Sequence, residues 1–403
     1  MASGLTVLVA ALDEADRIGD TIAALRGEFP EAEIIVVDGG SWDGTADRAE
    51  QAGAVVVRLS RRGKGEALSA GERAAAPGPL LLCDADLRGS LKPLSENSAD
   101  LAVAAFARRT GGGFGIAKRV ACELIRLRTG FTAREPLSGQ RHLNERARAA
   151  VFPLAPGFGC EVRMTIDALR VGLDVEEIEL DLGHRERGRD LEGFAHRGRQ
   201  LVDALLGAGP LALNHRGLRL PLVGWLVGLR RDAAVMAVAG LGLADDLWSG
   251  EERGVRAHVS AGRTTGVLKL LGIPLVGLFA TRSLSGGLLV GGCANLINQL
   301  DTKPGRALKA YVAAALAVDA PLGLAVLLLP YDLRERVMLG DAGSNALGAM
   351  LGLNSVDRFH GWRRWTAVAA VVGVNLLGER RSLGALIERT PFLRELDAWG
   401  RPR

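Results

Sequence analysis

Apolar residues take two textures along this chain. Through residue 200 they form short runs separated by charged, helix-forming stretches; from residue 210 to residue 378 they form long runs broken by brief polar loops. In the first region, residues 5–10, 34–37, 54–59 and 80–83 are short apolar runs that fit buried parallel strands. Residues 13–26 and 45–52 read as helices, the first with a carboxylate-rich opening turn. Strand and helix alternating in this order predict a Rossmann-like α/β fold with a parallel sheet. Its ligands belong at the C-terminal ends of the strands. Residues 114–128 repeat apolar side chains at helical spacing with Arg and Lys between them. That helix suits either packing on the domain core or a place among lipid headgroups.

In the second region, residues 220–229, 232–244, 270–280, 284–300, 310–330 and 366–377 are apolar. Several approach the ~20 residues that a membrane-spanning helix needs. The loops at 303–309 and 360–364 place basic residues and Trp362 at segment ends, as interfacial anchors do. The expectation is an N-terminal α/β domain over 1–205 and an all-α, multi-helix membrane region over 210–395. Buried helices of a soluble domain are the alternative.

Composition sharpens this picture only in places. A length of 403 residues favours two domains. Hydrophobic residues make up 48% of the chain, and the mean hydropathy of +0.16 is high for a soluble enzyme. The formal charge of +4 suits phosphate-bearing ligands or an anionic surface, and no nucleic-acid partner is expected. Cys83, Cys122, Cys160 and Cys293 show no paired spacing, which argues against a zinc site or a disulfide framework and for a reducing compartment. The strand pattern begins by Leu5 without a basic start, an apolar core and a cleavage site, so no signal peptide is expected.

The polar residues at strand ends carry the candidate chemistry. Asp38 ends the second run, and Asp84 and Asp86 follow the fourth. Two carboxylates at i and i+2 beyond a strand can serve a hard divalent cation. Such an ion neutralises a nucleoside diphosphate as it departs. Taken alone, Asp84-Ala85-Asp86 is equally an ordinary polar turn. Lys64, flanked by Gly63 and Gly65, adds a cation that in isolation reads as surface charge.

Together these stretches resemble the family 2 inverting glycosyltransferases, especially those akin to dolichyl-phosphate sugar synthases and glucosyl-3-phosphoglycerate synthase. The resemblance rests on residues 10–14, 37–45, 63–68 and 84–87 and runs from about 5 to 200, with Ala10 and Asp13 where the family usually has Pro and Asn. It implies a glycosyltransferase A fold and a Mg2+ or Mn2+ cofactor. The nucleotide sugar would be held by Glu14, Asp38, Lys64 and Asp84, and the metal by Asp84, Asp86 and His184. The segments 135–141 and 156–161 resemble the family's acceptor side, which would place Gln140 and Arg141 on the acceptor, Arg141 pairing with a phosphate bidentately. A salt bridge to a local carboxylate is the other reading of Arg141. Asp86 and Glu161 are the catalytic candidates, Glu161 as the base should the acceptor be a hydroxyl.

The apolar half carries acidic motifs of its own: Asp245-Asp246, Asp301 closing an Asn-x-x-Asn-x-x-Asp run, and Asp341 in Gly-Asp-Ala-Gly-Ser. Ionisable groups near a bilayer are costly and mark a site or a water-facing turn. These motifs resemble the polyprenyl-phosphate sugar-1-phosphate transferase superfamily, which includes phospho-N-acetylmuramoyl-pentapeptide transferase. There, aspartates at the positions of Asp245, Asp246, Asp301 and Asp341 gather around magnesium and phosphates. The opening membrane helices and the late histidine-rich loop of that family are absent here, which points to a reduced relative that anchors the enzyme.

The expected activity is metal-dependent, inverting transfer of a hexose from a nucleotide sugar to a phosphate-bearing acceptor, with polyprenyl phosphate foremost. The expected setting is a multi-pass place in the cell membrane, the transferase domain cytoplasmic, in the making of cell-envelope polysaccharide. A bifunctional enzyme whose second half also transfers sugar-1-phosphate, and a non-catalytic lipid-phosphate-binding scaffold, are the alternatives.

Overall fold

The structure is a computed structural model of the chain and describes residues 4–60, 63–106, 115–182, 191–214, 216–229, 232–248 and 264–401. The chain divides into two compact units, one of Met1–Leu211 with Gly217–Arg219 and the other of Ala212–Arg216 with Leu220–Arg403.

The first unit is built on a seven-stranded sheet. Its strands are β1 (Thr6–Ala11), β2 (Glu33–Asp38), β3 (Val55–Arg58), β4 (Leu80–Asp84), β5 (Leu101–Phe106), β6 (Arg141–Leu143) and β7 (Val175–Leu180). They lie in the order β3-β2-β1-β4-β6-β5-β7. β1 pairs in parallel with β2 and β4, and β5 with β7, while β6 runs antiparallel between β4 and β5. The short apolar runs reflect burial on both faces. Val7 and Val9 pack on one side of the sheet with Ile18, Ile22 and Leu25, and Leu8 packs on the other with Leu68, Leu143 and Met164.

Around this sheet lie α1 (Ile18–Glu28), α2 (Thr45–Gln51), α3 (Lys64–Ala74), α4 (Lys92–Ser95), α5 (Ile116–Thr129), α6 (Glu145–Val151), α7 (Gly159–Arg170) and α8 (Leu191–Ala208). The helix expected from residue 13 starts five residues later, at Ile18. Asp13 takes a left-handed backbone, φ 55°, and residues 13–17 form a turn that is tied to the loop after β2. The amphipathic helix α5 buries Ala121 and Ile125 beside Val162 and Ile166 of α7 and Ala204 of α8.

The second unit is helical: α9 (Ala233–Trp248), α10 (Thr264–Thr281), α11 (Leu284–Leu300), α12 (Arg306–Val318), α13 (Gly323–Asp332), α14 (Gly340–Arg358), α15 (Trp362–Arg381), α16 (Leu383–Arg389) and α17 (Pro391–Ala398). α14 is its core element, with both flanks of its helix buried. Gly348 and Gly352 let it approach the backbone of α11 at Ala294 and Val290, where any β-carbon would collide.

The expected spanning helices are not found in the described structure. Among the described residues no helix is long and apolar enough to cross a membrane. The run over 310–330 is not one helix. α12 stops at Asp319, which adopts φ 55°, and α13 starts afresh. The 13 residues of α12 span about 20 Å at 1.5 Å each, against the ~30 Å of a hydrocarbon core. The run over 220–229 folds largely as a short 3-10 helix, Gly224–Leu229.

Candidate active site

Two loops at the C-terminal ends of β1 and β2 are knitted together by short polar side chains. The Asp13 N–H donates to Ser41 Oγ (2.9 Å), and the Trp42 N–H returns a bond to Asp13 Oδ1 (2.9 Å). The Glu14 N–H donates to Thr45 Oγ1 (2.9 Å) and the Ala15 N–H to Asp43 Oδ2 (3.0 Å). Asp38 closes β2 in a buried position and accepts from the Ser41 N–H at 3.2 Å and from the Ser41 hydroxyl. The Glu14 carboxylate pairs with Arg17 at 2.8 Å. Burial pushes the Asp43 carboxyl up, but the Thr45 hydroxyl and the N–H groups of Ala15 and Thr45 more than offset this and hold it below its ordinary value. Ser41, Asp43 and Thr45 were not singled out individually from the sequence, although the stretch 37–45 that contains them was.

The second half of the site stands at the end of β4. Asp84 is gripped at both oxygens: Lys64 Nζ lies 2.6 Å from Oδ1, and Gln140 Nε2 donates to Oδ2 at 3.0 Å. Lys64 is the first residue of α3 and also reaches Glu161 Oε1, in the first turn of α7, at 2.9 Å. Gly65 allows this reach, because a β-carbon there would overlap Ala155 O and press on Cys160. Glu161 is only 3% exposed, and its other oxygen accepts from Cys160 Sγ at 3.0 Å. Burial, and then the neighbouring Glu161 charge, push the Cys160 thiol well above its ordinary range, so it stays a donor. Burial pulls the Lys64 ammonium down, yet Asp84 and Glu161 together raise it above the ordinary lysine range. Asp86, two residues beyond Asp84, lines a cleft of about 250 Å³ with Arg17, Asp20, Thr21, Glu28 and Arg88.

Both acceptor-side candidates lie inside the fold. Gln140 is buried and faces Asp84, so it braces the donor-side carboxylate. Arg141 is 0% exposed. Its guanidinium donates to Ser138 O (2.8 Å), Thr165 Oγ1 (2.9 Å) and Pro136 O (3.1 Å), which pins the 136–141 loop to α7 instead of opening toward an acceptor phosphate. Among the described residues it makes no salt bridge. Gly139, which the sequence did not flag, is enforced by contact, since a methyl group there would run into the Asp84 carboxylate and the Lys64 ammonium. His184 lies outside the described residues. Among the described residues no group of three or more His, Cys, Asp or Glu side chains is arranged to hold a metal ion.

In the helical unit the four expected aspartates come together. Lys269 Nζ lies 2.7 Å from Asp245 Oδ2 and also contacts Asp341. Asp246 accepts the N–H groups of Asp341 and Ala342, both at 2.9 Å, at the start of α14. Asp301 closes α11, its N–H on Asn298 O at 3.0 Å, and its carboxylate takes a hydrogen bond from the backbone of Gly340, beside Asp341 and Asp246.

Comparison with known proteins adds to this geometry. A family model described as glycosyl transferase family 2 matches residues 6–121. Glucosyl-3-phosphoglycerate synthase of Mycolicibacterium paratuberculosis is 32% identical over 238 residues, covering 50% of this chain and 71% of that protein. Undecaprenyl-phosphate mannosyltransferase of Micrococcus luteus is 27% identical over 240 residues, covering 53% of this chain and 97% of that protein. Among solved structures, glucosyl-3-phosphoglycerate synthase from Mycobacterium tuberculosis in complex with Mn2+, uridine-diphosphate-glucose and glycerol 3-phosphate overlaps 52% of this chain and 84% of its own, with 25% identity and a TM-score of 0.42.

Proposed function

We propose that this chain, which belongs to glycosyl transferase family 2 and is a nucleotide-sugar-dependent glycosyltransferase, transfers a hexose with inversion to polyprenyl phosphate at a membrane. The observation that carries the acceptor class is the state of Glu161. Both of its oxygens are engaged, one by Lys64 and one by Cys160. An acceptor hydroxyl needs a base to take its proton, whereas a phosphate oxygen is already ionised near neutral pH and attacks without one. The undecaprenyl-phosphate mannosyltransferase relative, matched over nearly its whole length, supports the same acceptor.

Family 2 enzymes use a divalent ion. The hard carboxylate oxygens of Asp86 and Asp84 at the strand end fit Mg2+ or Mn2+, with the donor's own phosphates completing the ligand set. When bound, the ion supplies charge neutralisation for the departing diphosphate. Lys64 holds Asp84 and Glu161 in one arrangement and puts a fixed cation beside the leaving group. Gln140 fixes the second Asp84 oxygen. Asp38 and the knitted loops at 13–15 and 41–45 shape the nucleoside end, and this prior ordering lowers the entropy that productive placement costs.

The helical unit supports the membrane setting through its outer faces. Leu271, Leu275 and Phe279 of α10 and Val374, Leu376 and Leu377 of α15 are exposed. We place this unit at the cell membrane as the anchor, with the transferase unit on the cytoplasmic side.

The test uses the purified full chain, Mn2+ or Mg2+, a panel of nucleotide hexoses and two acceptors, a polyprenyl phosphate and phosphoglycerate. The expected result is glycosylated polyprenyl phosphate and nucleoside diphosphate. Transfer should fall at least about 100-fold in Asp86→Ala, with the fold intact, and only modestly in Glu161→Gln, whose amide oxygen still faces Lys64. Transfer to phosphoglycerate alone, abolished by Glu161→Gln, would overturn the acceptor. Nucleoside monophosphate release that depends on Asp245 and Asp341 would assign sugar-phosphate transfer to the helical unit.

A further inference from the structure

The C-terminal helix α17 has its polarity reversed. The only buried side chain in it is a carboxylate, Asp397, at 9% exposure. Arg306 donates to Asp397 Oδ1 at 3.0 Å and to Oδ2 at 2.8 Å, and Arg401 adds bonds of 2.7 and 3.0 Å. Lys309 Nζ caps the end of the helix by donating to the carbonyl oxygens of Leu396, Asp397 and Trp399 at 3.1, 2.6 and 2.6 Å. Burial opposes ionisation of Asp397, but the two arginines overcome it and hold the carboxyl near a pKa of about 2. The clamp therefore stays ionised at physiological pH. On the outer side Phe392 is 68% exposed, Leu396 51% and Trp399 73%. Spaced at i, i+4 and i+7, these three fall on one stripe. A surface helix of a globular domain normally turns such a stripe inward.

The surroundings of the stripe select its occupant. Residues 380–403 carry six arginines against three carboxylates. Glu388 and Asp397 are already paired inside the unit, with Lys303 and Arg306 and with Arg306 and Arg401, while Arg389 and Arg394 are exposed. A second copy of the chain would bring like charges face to face. An anionic lipid surface takes an apolar aromatic stripe at its headgroup boundary and attracts the arginines that flank it.

We propose that α17 is a lipid-surface anchor, clamped to its own unit through Asp397, with Phe392, Leu396 and Trp399 entering the headgroup boundary of an anionic membrane and Arg389 and Arg394 meeting the lipid phosphates. This rests on the reading that the helical unit meets a membrane. The test places an environment-sensitive fluorophore at Leu396→Cys in the full chain. Cys122→Ser removes the half-exposed native thiol, and the other cysteines are buried. The protein is reconstituted into vesicles of phosphatidylcholine alone or mixed with phosphatidylglycerol. In the mixed vesicles the label is expected to shift to the blue, to be quenched by a headgroup-level spin-labelled lipid and to be shielded from aqueous iodide. Arg389→Ala with Arg394→Ala should lower the docked-to-undocked ratio by up to about 30-fold at low salt. Free quenching by iodide in the mixed vesicles would overturn the proposal, as would shielding that needs no lipid and rises with protein concentration. A second label at Leu376→Cys, on the outer face of α15, separates the two readings. Lipid quenching at 376 with iodide access at 396 refutes the anchor alone. Iodide access at both positions refutes the membrane setting as well.

Discussion

Replacing Lys64 with Met tests the centre of the site. The substitution keeps most of the stem's volume and deletes an ammonium that lies 2.6 Å from Asp84 and 2.9 Å from Glu161. At an effective dielectric of 20, each contact is worth roughly 6 kcal/mol of Coulomb attraction, and desolvation cancels much of it. Breaking a buried pair by removing one partner costs about 3–5 kcal/mol, because a charge is left behind uncompensated. The Asp84 side chain is 32% exposed and keeps Gln140, so solvent screening discounts its share. Glu161, buried, carries most of the loss, and about 3 kcal/mol is expected. Lys64→Met with Glu161→Gln should recover about 2 kcal/mol of this, since the stranded charge is then gone. Lys64 titrates above its ordinary range in the folded chain. Its stabilisation is thus complete below the unfolded lysine value and is lost only as strongly alkaline pH passes the folded one. The deficit of the variant is therefore full at neutral pH. Hydrogen exchange at the amides of β4 and α7 in the full chain is the suitable assay, because a chain of two units has no single unfolding free energy. A loss below about 0.5 kcal/mol, or a double variant whose losses simply add, refutes the argument.

Two further outcomes follow from neighbouring contacts. Asp100 accepts from Asn144 Nδ2 at 2.7 Å and from the Asp174 N–H at 3.0 Å, and these bonds hold its carboxyl below the ordinary value. Its stabilisation is present above about 3.9, the unfolded value, and is lost as pH falls through the lower folded one. Asp100→Ala should thus lower exchange protection of β5 and β7 at pH 6 more than at pH 2, and equal losses at both pH values would contradict this. Gly139→Ala pushes on Asp84 and Lys64 together and should slow transfer roughly 10- to 100-fold with the circular dichroism spectrum unchanged; turnover at the wild-type rate would show that the loop yields without cost.

The parts of the fold that were legible in the sequence are those where burial on both faces writes an unbroken apolar run. β1, β2 and β4 announce themselves this way, and the acids that end them mark the ligand edge. β6 could not be read so. It is three residues long, with Arg141 and His142 in two of its positions, and only its pairing between β4 and β5 defines it as a strand. The segment around Gln140 and Arg141 was placed at the site, but the direction of its side chains was not. Neighbouring residues of extended chain face opposite ways. One therefore reaches Asp84 and the other enters the interior at Thr165, a distinction that no residue type announces. In the helical unit, hydrophobic runs record which residues shun water and not where a helix ends. The break between α12 and α13 falls at Asp319, a left-handed residue without glycine's usual signature.

Two lysines of this chain sit between carboxylates, in different settings. Lys269 joins Asp245 to Asp341 beside Asp246, whose oxygens are both spent on the backbone N–H groups that open α14. The Asp246 carboxylate, committed to a helix start, stabilises that start. Lys64 joins Asp84 to Glu161 at the end of a central strand, where Asp86 faces an open cleft. A departing diphosphate needs positive charge that is in place before the bond breaks, because charge already fixed in position costs no reorganisation in the transition state. In the proposed transfer Lys64 meets that requirement. Both of its carboxylate partners are anchored, Asp84 by Gln140 and Glu161 by Cys160, so the ammonium cannot follow the substrate away from its post. That constraint also accounts for the two glycines beside it. Gly65 admits the approach of α3 to the start of α7, Gly139 admits the Asp84–Lys64 pair, and a β-carbon at either position would move the cation on which the proposed transfer depends.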